Sequence, residues 1–138
     1  GLIGPKNDLL ARILINYLQK EYPDQNPTKI LDMGCAVGNS TTAWKEEYPE
    51  AEVHGIDVGA PVLRYAHARA ESMGLPIHYK QQNAEKTNYP DESFDLVVSI
   101  IMFHETSQSA LPRILGESYR LLKLTQKDQC KRFTKHIL

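Results

Sequence analysis

The chain has 138 residues, a formal net charge of −1 and a hydrophobic fraction of 41%, which suits one globular domain with a buried core and leaves no room for a second. Its cations are dispersed along the chain, so nucleic acid and anionic membrane surfaces are not expected partners, and the terminal set Lys127, Lys131, Arg132 and Lys135 reads as a solvated end.

The elements follow one grammar. Residues 1–24 are expected to hold an amphipathic helix, with Leu10, Ile13, Leu14, Tyr17 and Leu18 at helical spacing, Asn7 or Asp8 as cap and Pro23 beyond the end. "PTKILDMG" predicts a short buried strand. "NSTTAWKEEYP" predicts a helix capped by Asn39 or Ser40 and closed by Pro49. "AEVHGIDVG" predicts a second strand, "APVLRYAHARAESMG" a helix ending at Gly74, and "LPIHYKQQN" a third strand. "ESFDLVVSIIMF" has the near-continuous apolar run of a strand covered on both faces. "SALPRILGESYRLLKL" predicts a helix with Leu111, Ile114, Leu115, Tyr119 and Leu122 as its inner face and Gly116 as its weak point. Trp44, Tyr48 and Tyr65 are expected to be helix packing, and His54, His67, His78 and His136 ordinary strand, helix or tail residues. Strands alternating with helices predict an α/β fold, a parallel sheet with flanking helices and right-handed crossovers.

The two cysteines, Cys35 and Cys130, make neither a disulfide framework nor a metal site, and suit a reducing cytoplasm. No apolar run reaches the roughly 18 residues of a membrane span, and no secretory leader is expected. The start at Gly1 rather than Met is expected of a processed product or an excised piece.

"ILDMGCAVGNSTT" carries the chemistry. In an open parallel sheet the ligand lies beyond the carboxyl ends of the strands, and Gly34, Ala36 and Gly38 keep the first loop free of bulky side chains. A dinucleotide loop would hold a pyrophosphate at the helix N-terminus, where the carboxylate of Asp32 is misplaced. Asp32 suits an ammonium or a sulfonium instead, and S-adenosylmethionine has both. No Lys follows Gly38, so the phosphate-cradle pattern is also absent. Asp57 lies about 20 residues past the loop, where an acidic side chain can accept hydrogen bonds from ribose hydroxyls. That holds for NAD and S-adenosylmethionine alike, so Asp32 makes the choice.

These residues resemble the class I S-adenosylmethionine-dependent methyltransferases, especially the small-molecule branch with the ubiquinone and menaquinone biosynthesis enzymes. "ILDMGCAVGNST" is similar to the family's first motif, with Ala36 where a third glycine is usual; "VHGIDVG" to the ribose segment; "QNAEKTNYPDESFDLVVS" to the adenine segment and fourth strand; and "RILGESYRLLK" to the next helix. The resemblance covers residues 28–123, leaving 124–138 as a polar tail. It implies that Gly34 and its neighbours Cys35 and Ala36 face the methionine part, Asp32 orients its amino group, and Asp57 with Val58 holds the ribose. Asn83 and Ala84 would meet the adenine, and Ser99 and Ile100 would line the methionine side. Metal is not required. His104 and Glu105, after the fourth strand, are candidates for a substrate-side base.

Each assignment has a plainer rival. Asp57 could cap the following helix, Asn83 could be a turn residue, and His104 and Glu105 could belong to a surface loop. A capping role for Asp32 is discounted because it lies well before Ser40. After "RLLK" the family continues with a turn and further strands, whereas this chain reads "LTQKDQCKRFTKHIL". The resemblance thus implies a Rossmann-like sheet in the order 3-2-1-4 that lacks the last strands of the full fold, with the fourth strand left as an edge open to self-association. The Asn/Asp-Pro-Pro-aromatic signature of amino-methylating nucleic-acid enzymes is absent from "SIIMFHET". The expected function is methyl transfer to a small molecule. A module that binds the cofactor without turnover and an NAD-binding Rossmann protein are the alternatives.

Overall fold

The computed structural model describes residues 8–99 and 107–124. In chain order these form α1 (Leu9–Glu21), β1 (Lys29–Met33), α2 (Asn39–Glu47), β2 (Glu52–Asp57), α3 (Ala60–Ser72), β3 (His78–Gln81), β4 (Leu96–Val98) and α4 (Leu111–Leu121). The four strands make one sheet in the order β3-β2-β1-β4, and every pairing is parallel. The predicted order is thus the observed one.

Register assigns each side chain to a face. Ile30 stands beside Val53 and Leu96, and Asp32 beside Gly55 and Val98. This face packs on α1, α2 and α3 through Ile15, Ala43, Trp44 and Ala70. On the other face Leu31, Met33 and Ile56 join Phe94, Tyr89 and the α4 residues Ile114 and Leu121. Burial on both faces explains why β1 shows no inside-outside alternation, with Ile30, Leu31, Asp32 and Met33 all buried. The sheet is laced at its base by Asp95, whose carboxylate accepts hydrogen bonds from the backbone N–H groups of Thr28 (2.8 Å) and Lys29 (2.9 Å) and from the Thr28 hydroxyl (2.6 Å).

Two helices match the expected faces only in part: Leu14 and Leu18 of α1 pack on the core, and Ile114 of α4 and Leu122 just after it are buried, as expected. In α1 the buried residues are Ala11 and Ile15, while Leu10 and Ile13 are 58% and 55% exposed. The apolar stripe is wider than the contact, and the small Ala11 permits the close approach to α2. In α4 the inward residues are Ile114, Glu117 and Leu121, with Leu115 and Tyr119 exposed. A hydrophobicity pattern cannot select an inward glutamate, and Glu117 is tolerated there because its carboxylate is fully engaged. It accepts from the Thr87 N–H (2.6 Å), the Thr87 hydroxyl (2.7 Å) and Arg120 Nη2 (2.7 Å).

The caps also differ. Asp8 precedes α1, but its carboxylate pairs with Arg12 at 3.1 Å and caps no backbone N–H. The N-cap of α2 is Gly38, in the left-handed region at φ 85, rather than Asn39 or Ser40. β4 is described over three residues. Residues 100–103 of its predicted run and the polar tail from 125 onward lie outside the described residues. On the far side of β4, the Phe94 N–H donates to Leu121 O (2.9 Å) and the Lys123 N–H to Phe94 O (3.0 Å), so the chain leaving α4 begins to run alongside this edge.

Candidate functional site

β1 ends at Met33, and the next five residues turn the chain into α2 beyond the carboxyl ends of the strands. The turn uses three left-handed residues, Gly34 (φ 68), Ala36 (φ 48) and Gly38 (φ 85). The end of β2 holds it down: Ile56 O accepts from the N–H groups of Gly34 (2.8 Å) and Cys35 (3.0 Å), and Asp57 Oδ2 accepts from the Ala36 N–H at 3.0 Å. Asp57 Oδ1 accepts from the Gly59 N–H at 2.9 Å, just ahead of α3. Asp57 is thus a half-buried carboxylate that ties both loops together at the mouth of the site, and it bonds the N–H of Gly59 rather than one within α3, so its plainer reading as a cap is not met.

Asp32 is 1% exposed. It caps no backbone N–H of α2, as expected, yet it reaches that helix through side chains. Oδ2 accepts from the hydroxyls of Ser40 (2.5 Å) and Thr41 (2.8 Å), because the loop doubles back and lays the first turn of α2 across the end of β1. Ser40, expected as a cap, turns inward instead. These two partners were missed, although hydroxyls at the start of a helix beside a buried carboxylate are a signal that "DMGCAVGNSTT" contains. Asp32 Oδ1 has no hydrogen-bond partner among the described residues, and the same holds for the Ser99 hydroxyl at the end of β4. Burial, opposed by the two hydroxyls and assisted by nearby Asp57, pushes the Asp32 carboxyl up to about 6.

The small residues serve different ends. Gly38 was expected to give a ligand close access to the backbone, but a Cβ there would run into the hydroxyl of Tyr79, and one at Gly55 would meet the same ring at 2.8 Å. Tyr79, absent from the sequence reading, lies across this floor from β3. Cys35 is 2% exposed, and burial pushes its thiol well above the ordinary range, so it fills space beneath the loop as an inert side chain. Val58 is 67% exposed at the rim. Asn83 Oδ1 accepts from the Glu85 N–H at 2.9 Å, the turn geometry that was its rival reading, and Ala84 beside it is buried. Ile100, His104 and Glu105 lie outside the described residues. Asp32, the loop, Asp57 and Ser99 thus meet at one end of the sheet, with the 83–84 turn following β3.

A buried carboxylate oxygen without a donor is costly, and a ligand carrying an N–H or a positive charge supplies what Asp32 lacks. The unpartnered acceptor thus fits the ammonium end of S-adenosylmethionine.

The profile of the family described as "Methyltransferase domain" matches residues 30–124. The demethylmenaquinone methyltransferase of Thermus thermophilus is 32% identical over 87% of this chain and 57% of its own length. A protein of Pyrococcus horikoshii, PH0226, superposes with a TM-score of 0.68 at 28% identity, over 81% of this chain and 53% of its own. A geranyl diphosphate methyltransferase solved in complex with SAM shares the fold, with a TM-score of 0.69 at 18% identity over 84% of this chain and 45% of its own. The chain spans about half the length of such relatives.

Proposed function

The chain belongs to the methyltransferase-domain family, and we propose that it is the S-adenosylmethionine-binding core of an enzyme that methylates a small organic molecule. The observation that carries this reading is the buried Asp32, with one oxygen held by Ser40 and Thr41 and the other without a hydrogen-bond partner among the described residues. In this proposal Asp32 orients the amino group, Asp57 accepts from the ribose hydroxyls, the 83–84 turn borders the adenine, and Ser99 lines the methionine side. When bound, the cofactor supplies a sulfonium methyl already activated for transfer. The work left to the chain is placement, and proximity and orientation can be worth roughly 7 to 11 kcal/mol.

The oxygens of Asp57 already serve Ala36 and Gly59, and each carboxylate oxygen keeps a further acceptor site for a ribose hydroxyl. That double duty lets the loop be preorganised before any ligand arrives. A small acceptor is supported by the missing Asn/Asp-Pro-Pro-aromatic signature and by the Thermus relative, a demethylmenaquinone methyltransferase. His104 and Glu105 are the proposed substrate-side groups.

Calorimetric titration with S-adenosylmethionine, S-adenosylhomocysteine and NAD in parallel tests the reading. Saturable binding of the first two, lost in Asp32→Ala, is expected. NAD binding in preference to both would overturn it.

A further inference from the structure

We propose that Glu52, His54 and His78 form a binding site for a zinc-class divalent ion on the opposite face of the sheet from Asp32, at the amino ends of β2 and β3. One ligand atom from each of the three lies within 4.8 Å of the other two. The arrangement follows from strand geometry: Glu52 and His54 are alternate residues of β2 and share a face, and His54 is the register partner of His78.

His54 is the buried anchor. Its Nε2 lies 3.0 Å from Glu52 Oε2, and its Nδ1 lies 3.1 Å from the Tyr89 hydroxyl. A proton now fills the gap between nitrogen and carboxylate. In a tetrahedral zinc site, with bonds of about 2.0 to 2.2 Å, neighbouring ligand atoms stand roughly 3.3 Å apart, so an ion can take the place of that proton with little movement. The Tyr89 hydroxyl can donate or accept, and it therefore supports the His54 tautomer that turns a lone pair at Nε2 towards the ion. Tyr89 is itself fixed edge-on to His54 and Phe94, at ring centroid separations of 5.3 and 4.9 Å. The His78 ring stacks on His54 at 4.7 Å, is exposed, and needs only side-chain rotation to close the third position. Water completes the coordination.

Two cations border the site. Lys29 Nζ lies 3.4 Å from Glu52 Oε2, and Lys80 Nζ stands 5.2 Å from the centre of the Tyr89 ring. Their charge opposes a dication and sets the expected affinity in the micromolar range. Imidazole with carboxylate favours zinc, nickel or copper over magnesium or calcium.

The test is zinc titration of the chelator-treated chain by calorimetry, with thermal melting in parallel. The Cys130→Ser background removes the thiol of the terminal region. One ion per chain and a raised melting temperature are expected. His78→Gln and Glu52→Gln alter exposed side chains and should keep the metal-free melting temperature while losing most of the binding. Tyr89→Phe should weaken binding by about 10-fold, the scale of an outer-shell partner. Lys29→Met should tighten it. Absence of saturable zinc binding, or binding that His78→Gln leaves unchanged, overturns the proposal.

Discussion

Asp57 holds Ala36 in place across 21 residues of sequence, its Oδ2 accepting the Ala36 N–H at 3.0 Å while Ala36 sits in the left-handed region at φ 48. A residue with a Cβ is strained there by about 1 to 2 kcal/mol, and the carboxylate helps to hold it. Ala36→Gly should relieve the strain against a larger loss of chain entropy, for a net stabilisation of up to about 1 kcal/mol in urea denaturation. A clear loss of stability would show that the methyl group is wanted at this position.

Asp57→Ala removes a charged acceptor from both loops. Binding of S-adenosylmethionine should weaken by about 1.5 to 3 kcal/mol, the scale of a hydrogen bond to a charged group. Unchanged affinity would remove Asp57 from the ribose assignment and leave it as the tie between the loops.

The buried Asp32 makes stability fall with rising pH. Its carboxyl is raised from the ordinary 3.8 to about 6, so the folded chain holds a proton that the unfolded chain has released. The contribution is fully present below about pH 4 and is lost as pH rises through 6, for about 3 kcal/mol in all. A cationic ligand reverses the preference, so affinity for S-adenosylmethionine should climb between pH 5 and 7. Asp32→Asn should flatten both profiles, as read by urea denaturation and calorimetry at each pH. A wild-type chain with no pH dependence in this window would place the Asp32 carboxyl in its ordinary range.

Much of this was legible in the letters. The parallel sheet and the position of Asp57 follow from alternating elements and loop spacing, both local signals, and the strand order from the resemblance to the family. What escaped reading depends on the third dimension. Ser40 and Thr41 reach Asp32 only because the loop folds back. Glu117 is inward only because Thr87 and Arg120 come to it from other turns. The His54 and His78 pair exists only through register between strands that 20 residues separate. Periodicity reports which residues are apolar: it placed Leu14, Leu18, Ile114 and Leu122 inward correctly but also Leu10, Ile13, Leu115 and Tyr119, because a helix can bury alanine or a satisfied carboxylate and leave leucine in water.

Gly38 is fixed by packing as well as by backbone. A Cβ there meets the Tyr79 hydroxyl and lies 3.2 Å from the Ala66 Cβ, at a φ of 85 that side chains rarely adopt. Gly38→Ala should cost about 2 to 4 kcal/mol, from backbone strain together with overpacking. Adding Tyr79→Phe should return part of that loss, since it removes the nearest atom and leaves the strain. If the double variant is no better than the single one in thermal melting, backbone conformation alone explains the glycine.

Glu117 should oppose Asp32 in its response to acid. Hydrogen bonds from Arg120 and from Thr87 hold its carboxyl down to about 2 against the upward push of burial, so the folded chain releases this proton more readily than the unfolded one does. That contribution is present above about pH 4.5 and disappears as pH falls towards 2. Glu117→Gln keeps the shape but loses the charge opposite Arg120 and a strong acceptor for the Thr87 N–H, and should cost about 2 to 3 kcal/mol at neutral pH. The consequence reaches the site, because Thr87 follows the 83–84 turn and Arg120 also grips Asp91 at 2.7 Å. The segment between β3 and β4 is thus clamped to α4 on both sides of Tyr89. Under the proposed site assignment, in which adenosine relies on that turn and methionine on Asp32 and the loop, loosening it should weaken adenosine more than methionine. Competition binding of the two fragments to the variant reads the difference, and equal weakening of both would reduce Glu117 to a general stabiliser of the fold.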